Sequence, residues 1–139
     1  MTITPYLYYE DVGAALEWLA KAFGFKRTGA RTTGPNGKVI HAAMRLGDAV
    51  VMMGAPGGKY KNPRRLGQAT QSLYVMVADA DKHFERASKS GGKILERPTD
   101  TEYGQRRYGI EDPEGHEWYF AHELKAKSEK KVSHRPSAR

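Results

Sequence analysis

His41 and Glu117 are the residues of this 139-residue chain whose side chains suit general-base work beside aromatic neighbours. Arg45 and Arg106 could steady an enolate oxygen or orient the polar groups of a bound molecule. Tyr6, Tyr8, Tyr74, Tyr108 and Tyr119, with Met52, offer flat apolar surfaces and hydroxyls of the kind that hold an organic ligand. His116 and His122 are further imidazoles, the first expected at a turn or the surface, the second at a strand end beside Glu123. Cysteine is absent, which removes disulfides, thiolate nucleophiles and thiolate metal sites, and fits a reducing, cytoplasmic setting. None of these groups acts alone: a base needs a positioned partner, and a pocket needs side chains that converge.

The elements that must position them follow from periodicity. A short aromatic run over 3–9 reads as a strand, with Pro5 at its start or edge. Asp11 can cap a helix to about Gly24, with Val12, Ala15, Leu16, Leu19, Ala22 and Phe23 at helical spacing. Two strand-like runs flank Gly34-Pro35-Asn36-Gly37, and the second, Val39–Leu46, meets Ala49–Met53 across Gly47-Asp48. The same order then returns. Residues 72–77 form a strand, Asp79 opens a helix to about Ser90, Lys93–Arg97 and Arg106–Glu111 are strands, and Asp112-Pro113-Glu114-Gly115 turns the chain into His116–Ala121. Asp11 and Asp79 lie 68 positions apart, and at that offset Tyr6 matches Tyr74, Leu16 matches Phe84 and Gly24 matches Gly92.

The expected architecture is therefore α+β: two tandem βαβββ modules forming a curved mixed sheet around a cleft, helices outside. The first module covers 1–54, a Gly- and Pro-rich basic surface linker 55–71, the second module 72–124, and a disordered basic tail 125–139. Alternation sorts the side chains by face. Closing the first hairpin on Gly47-Asp48 pairs Leu46 with Ala49, Arg45 with Val50, Met44 with Val51 and Ala43 with Met52. One face then carries Ile40, Ala42, Met44, Leu46, Val51 and Met53, and must pack on the helix. The other carries His41, Ala43, Arg45, Val50 and Met52, together with Tyr6 and Tyr8 from the first strand. In the second module Leu73, Val75, Val77, Trp118 and Phe120 are core, whereas Tyr74, Glu117, Tyr119, Arg106 and Tyr108 face away from the helix. Tyr6, Tyr74 and Tyr119 should line one continuous cleft, with Arg106 and His41 at its polar end.

Charge and hydropathy narrow the partners. The net charge is +7, but Lys125–Arg139 holds six Lys or Arg against the single Glu129, which leaves only +2 for the rest. Nucleic acid is not expected as a partner on that balance. No apolar run approaches the roughly 18 residues that span a membrane, and the N-terminus has neither the basic nor the apolar region of a secretory signal.

Two stretches carry a family resemblance. The sequence YGQRRYGIEDPEGHEWYF (103–120) resembles the closing hairpin of the glyoxalase/bleomycin-resistance/dioxygenase, or vicinal oxygen chelate, superfamily, with strand, Asp-Pro-x-Gly and a second strand ending in aromatics. The opening PYLYYEDVGAALEWLAKAFGF (5–25) is similar to its first strand and helix. The resemblance covers roughly residues 3–122. It implies that metal-dependent relatives would carry ligands at Thr4, Met52, Ser72 and Tyr119, positions whose residues here are not normal ligands for a catalytic divalent metal. No metal and no cofactor are expected at those positions.

The function so implied is binding or sequestering of a small organic molecule in a concave aromatic-lined cleft. Members of this size complete such clefts at a subunit interface, so a homodimer is implied. The alternative is a glyoxalase-like lyase or isomerase acting on a small carbonyl substrate. It would be metal-free with Glu117 or His41 as base, or would hold a metal through ligands not identified in the sequence.

Overall fold

The computed structural model describes residues 1–125. The disorder expected for the basic tail lies outside the described residues. Asp11 opens the first helix, α1 (Val12–Phe23), by accepting the Ala14 N–H at 3.0 Å, and Gly24 ends it in the left-handed region at φ 85° with its N–H on Ala20 O. The helix lies between strand β1 (Tyr6–Tyr8) and strands β2 (Lys26–Thr33), β3 (Val39–Leu46) and β4 (Ala49–Gly54). In the second module β5 (Ser72–Met76) precedes the Asp79-capped α3 (Ala80–Ala87), followed by β6 (Lys93–Asp100), β7 (Gln105–Glu111) and β8 (Glu117–Glu123). Each module makes one mixed four-stranded sheet, ordered β1-β4-β3-β2 and β5-β8-β7-β6, with the first strand parallel to the last. This is the expected α+β pair of βαβββ modules.

The hairpin pairing expected around Gly47-Asp48 is present, from Ala43 opposite Met52 to Leu46 opposite Ala49. Ala42, Met44, Val51 and Met53 are buried as alternation requires, whereas Ile40 at the end of the stripe is exposed. The linker is more than a surface strap. It carries a short helix, α2 (Pro63–Leu66), and its buried Asn62 gives an amide N–H to Glu114 Oε1 at 3.0 Å, which pins 55–71 to the 112–116 turn.

Both sheets share one apolar core. Phe23 at the end of α1 meets Trp118 and Phe120 of the second sheet at centroid distances of 5.3 and 4.6 Å. His83 of α3 locks the same junction. Its Nε2 donates to Phe23 O at 2.9 Å, and its Nδ1 accepts from the Tyr108 hydroxyl. Accepting at Nδ1 requires neutral imidazole, and burial lowers the His83 pKa from its ordinary value against the opposing pull of the bond to Phe23 O. Below pH of about 6.5 the unfolded chain therefore holds more protons at this site than the folded one. Stability should be complete above that pH and decline as pH falls through the window below it. Urea midpoints measured from pH 7.5 to pH 5 would show the slope, and His83→Gln should flatten part of it; an unchanged slope in that variant would clear His83 of any role.

Candidate functional site

The sheet faces turned away from the shared core carry the residues of interest. On the first sheet Tyr6 and Tyr8 are about half exposed, with Val50 also exposed and Met52 half-buried beside Tyr6, its strand partner. The Tyr6 hydroxyl lies 2.9 Å from His41 Nδ1, and the Tyr8 ring meets Tyr60 edge-on at 5.8 Å. Arg45 is exposed, with Nη1 on Gly47 O at 3.3 Å. On the second sheet Tyr74 and Met76 are exposed, and Tyr74 stands beside its strand partner Tyr119, with Glu117 two residues before Tyr119 on the same face. Burial raises the Tyr119 pKa, and the nearby charges of Glu117 and Glu96 raise it further.

Glycines on the neighbouring strands hold two of these rings flat. A Cβ at Gly54 would stand 2.5 Å from the Tyr6 hydroxyl oxygen, and one at Gly109 would overlap the Tyr119 ring. Larger residues at either place would lift the ring off its sheet. The two glycines occupy different strands of their modules, Gly54 on the last strand of the first and Gly109 on the third strand of the second, yet each lets a tyrosine ring lie against its sheet.

Two sequence expectations need correction. Tyr108 and Arg106 do not share the face of Tyr119. Tyr108 pairs with Phe120 and is fully buried, its hydroxyl on His83. Arg106 pairs with His122 on that same helix-side face. It is held by Asp81 at 2.9 Å and Asp100 at 2.8 Å. The cause is the turn between β7 and β8. Read as Asp112-Pro113-Glu114-Gly115 it has four residues, but His116 belongs to it as well. Asp112 Oδ1 accepts the N–H groups of both Glu114 and His116 at 3.0 Å, Asp112 N donates to His116 O, and Gly115 takes φ 93°. One extra turn residue moves the β7 register by one and turns every β7 side chain over. Arg107, not Arg106, then joins the face of Tyr119, with its guanidinium carbon 5.5 Å from the ring centroid.

The second correction concerns the cleft. Within one chain the aromatic residues fall into separate grooves. Tyr6 and Tyr8 line one of about 290 Å³ closed on its other side by the linker, including Tyr60 and Leu66. Tyr74 lines another of about 490 Å³ with Thr4, Val50 and Met76, floored by Phe25 and Trp118. Tyr119 is among the lining residues of neither.

The remaining imidazoles are structural. His116 is buried rather than at the surface, with Nε2 donating to Tyr8 O at 2.8 Å, and His122 Nδ1 accepts the Ala80 N–H at the start of α3. Among the described residues no three His, Cys, Asp or Glu side chains stand close enough together to hold a metal ion. The positions at which the resemblance places metal ligands hold two hydroxyls, a thioether and a phenol, a set that does not fit a catalytic divalent cation.

Known proteins support the fold's lineage. Residues 2–120 match the model of the Glyoxalase/Bleomycin resistance protein/Dioxygenase superfamily. The chain belongs to that superfamily. It is similar to the uncharacterized protein Rv0887c of Mycobacterium tuberculosis, with 34% identity over 121 residues covering 84% of this chain and 71% of that one. TioX from Micromonospora sp. ML1 superposes with a TM-score of 0.73 at 31% identity, over 89% of this chain and 99% of that one. A superfamily enzyme from Burkholderia phytofirmans, at 16% identity and TM-score 0.64 over 86% and 95% of the two chains, shares the fold. Among the described residues no helix is long and apolar enough to cross a membrane.

Proposed function

We propose that this superfamily member binds and sequesters a small organic molecule on its tyrosine faces, without a divalent metal, and that a second copy of the chain completes the site. The observation that carries the reading is the pair of rings, Tyr6 and Tyr119, laid flat over Gly54 and Gly109 beside Met52 and Tyr74. Flat aromatic and thioether surfaces with a few hydroxyls suit a planar organic ligand. A second copy is called for because these faces point away from the chain's own core and do not enclose one cavity. The first sheet's face carries Arg45 and His41, and on the second, where Arg107 and Glu96 pair with each other, Glu117 adds a carboxylate unmatched among the described residues, so the face of one copy complements the other face of its partner. The ligand-binding set is then Tyr6, Tyr8, His41, Arg45, Met52, Tyr74 and Tyr119, in a cytoplasmic homodimer.

A second reading rests on His41. The Tyr6 hydroxyl holds its Nδ1, which orients the imidazole for proton transfer through Nε2. That arrangement would serve a metal-free lyase or isomerase of a small carbonyl substrate, with Glu117 as the other available base.

Thermal-shift measurements separate these. Excess EDTA should leave the melting temperature unchanged, whereas a ligand at about 100 times its dissociation constant should stabilise the fold by about 2.7 kcal/mol. Tyr6→Ala and Tyr74→Ala should abolish that gain, and sedimentation should report a dimer. A large fall in melting temperature with EDTA, or a monomer that binds no aromatic compound, would sink the reading. Turnover of a carbonyl compound that is lost in His41→Ala would favour the enzyme.

A further inference from the structure

The tight turn between β6 and β7 brings a tyrosine to the second face from outside the sheets. Thr101 N donates to Gln105 O at 2.7 Å, Gln105 N donates to Thr101 Oγ1 at 3.0 Å, and Gly104 supplies the left-handed residue at φ 88°. Tyr103 is thereby presented at the tip of the turn with 48% of its surface exposed. Its hydroxyl accepts from Arg107 Nη1 at 2.8 Å and lies 3.1 Å from the Tyr74 hydroxyl. Arg107 is fixed in turn by Glu96, with Nε on Oε1 at 2.7 Å and Nη2 on Oε2 at 3.3 Å.

Proton accounting singles Tyr103 out. The Tyr74 proton is given to Gln105 Oε1 at 2.6 Å, and Gln105 Nε2 is given to Glu123 at 2.9 Å. The Arg107 donors seen in the network go to Glu96 and to Tyr103 itself. The Tyr103 proton has the Tyr74 oxygen only at the longer 3.1 Å, so it is free to turn outward. The contact with Tyr74, and then the Arg107 guanidinium, hold the Tyr103 phenol below the usual tyrosine range, while burial pushes Tyr74 up to about 12. A phenol polarised in this way is a stronger donor than an ordinary tyrosine.

We propose that Tyr103, held by Arg107 and Tyr74, donates a hydrogen bond to the carbonyl oxygen of an uncharged aromatic ligand whose ring packs on Tyr119. This rests on the reading of the face as a ligand surface and names the class of ligand it takes. The charge balance selects a neutral acceptor. Among the described residues of one chain, Arg107 is already paired with Glu96, and Glu117 and Glu123 add two further carboxylates around the site, a balance that disfavours an anionic group.

Acetophenone, benzoate and toluene are probes that differ in this one respect. Amide chemical shifts of the full-length protein, followed through titration with each, would report both affinity and place. Acetophenone should bind the second face more tightly than toluene, with benzoate weakest. Tyr103→Phe, which leaves the ring in place, should lower acetophenone affinity roughly five- to tenfold, the worth of one neutral hydrogen bond, and leave toluene unchanged. Acetophenone and toluene binding alike, with no effect of Tyr103→Phe, would overturn the subsite while leaving the aromatic face standing. Benzoate binding tightest would overturn the choice of a neutral ligand. No shift on either face with any probe would overturn the subsite and the ligand surface together.

Discussion

Trp118→Ala should destabilise the protein by about 3–5 kcal/mol, the range for emptying a fully buried aromatic site. The ring is 1% exposed and is the largest of the fully buried side chains. It meets Phe23 at 5.3 Å and Phe25 at 5.7 Å, so its packing partners come from the end of the first module's helix and the second residue beyond it. It also lies parallel to Phe120, with the centroids 6.2 Å apart. Loss of the indole would open a void where the two modules share a core and leave Asp112 Oδ2 without one of its donors. Urea unfolding followed by far-ultraviolet circular dichroism would measure the effect. A loss under about 1 kcal/mol would show that the junction can collapse around the missing ring, and that the modules depend on each other far less than a shared core implies.

Asp112→Ala should cost a similar amount, about 3–5 kcal/mol, for a different reason. Asp112 is 1% exposed, and its two oxygens serve four donors. Oδ2 accepts the Tyr9 hydroxyl at 2.6 Å and Trp118 Nε1 at 3.1 Å, while Oδ1 accepts Glu114 N and His116 N at 3.0 Å. Alanine would strand all four donors in or near the core, at about 1–3 kcal/mol for each one that cannot find water. Asn cannot rescue the site, because its amide nitrogen would face two donors in either orientation. Tyr9→Phe strands nothing and removes a single bond, so it should cost only about 1–2 kcal/mol. Because Asp112 and Trp118 share a bond, the double variant should lose less than the two single losses combined. Additive losses would mean that the carboxylate and the indole act independently.

These variants also mark the boundary between what was legible in the sequence and what was not. Capping residues and local turns were legible because their chemistry lies within a few residues of chain. Asp11 and Gly24 bound α1 as expected, and the two residues Gly47-Asp48 fix the β3–β4 register without help from elsewhere. Alternation from that register placed Tyr6, Tyr8, His41, Arg45 and Met52 on one face. Strand periodicity likewise buried Trp118 and Phe120. The repeat, with the turn at Asp112-Pro113-Glu114-Gly115, was enough to reach the superfamily.

Where the chain's own spacing stopped deciding, contacts between distant residues took over. The β7–β8 turn holds five residues because the Asp112 carboxylate gathers two turn amides on one side and Tyr9 and Trp118 on the other, and Tyr9 is 103 residues away. That register exchanged Arg106 and Tyr108 for Arg107 on the aromatic face. It also gave Tyr103 its partner, a residue that no periodicity could nominate from a turn. The shared core settled the remaining question. With Phe23 drawn against Trp118 and Phe120, the faces bearing Tyr6 and Tyr74 look away from that core and into separate grooves. Local sequence determined which side chains share a face, because side-chain alternation is a property of each strand. How the two faces are disposed was decided only by packing, because burial is a property of the whole molecule.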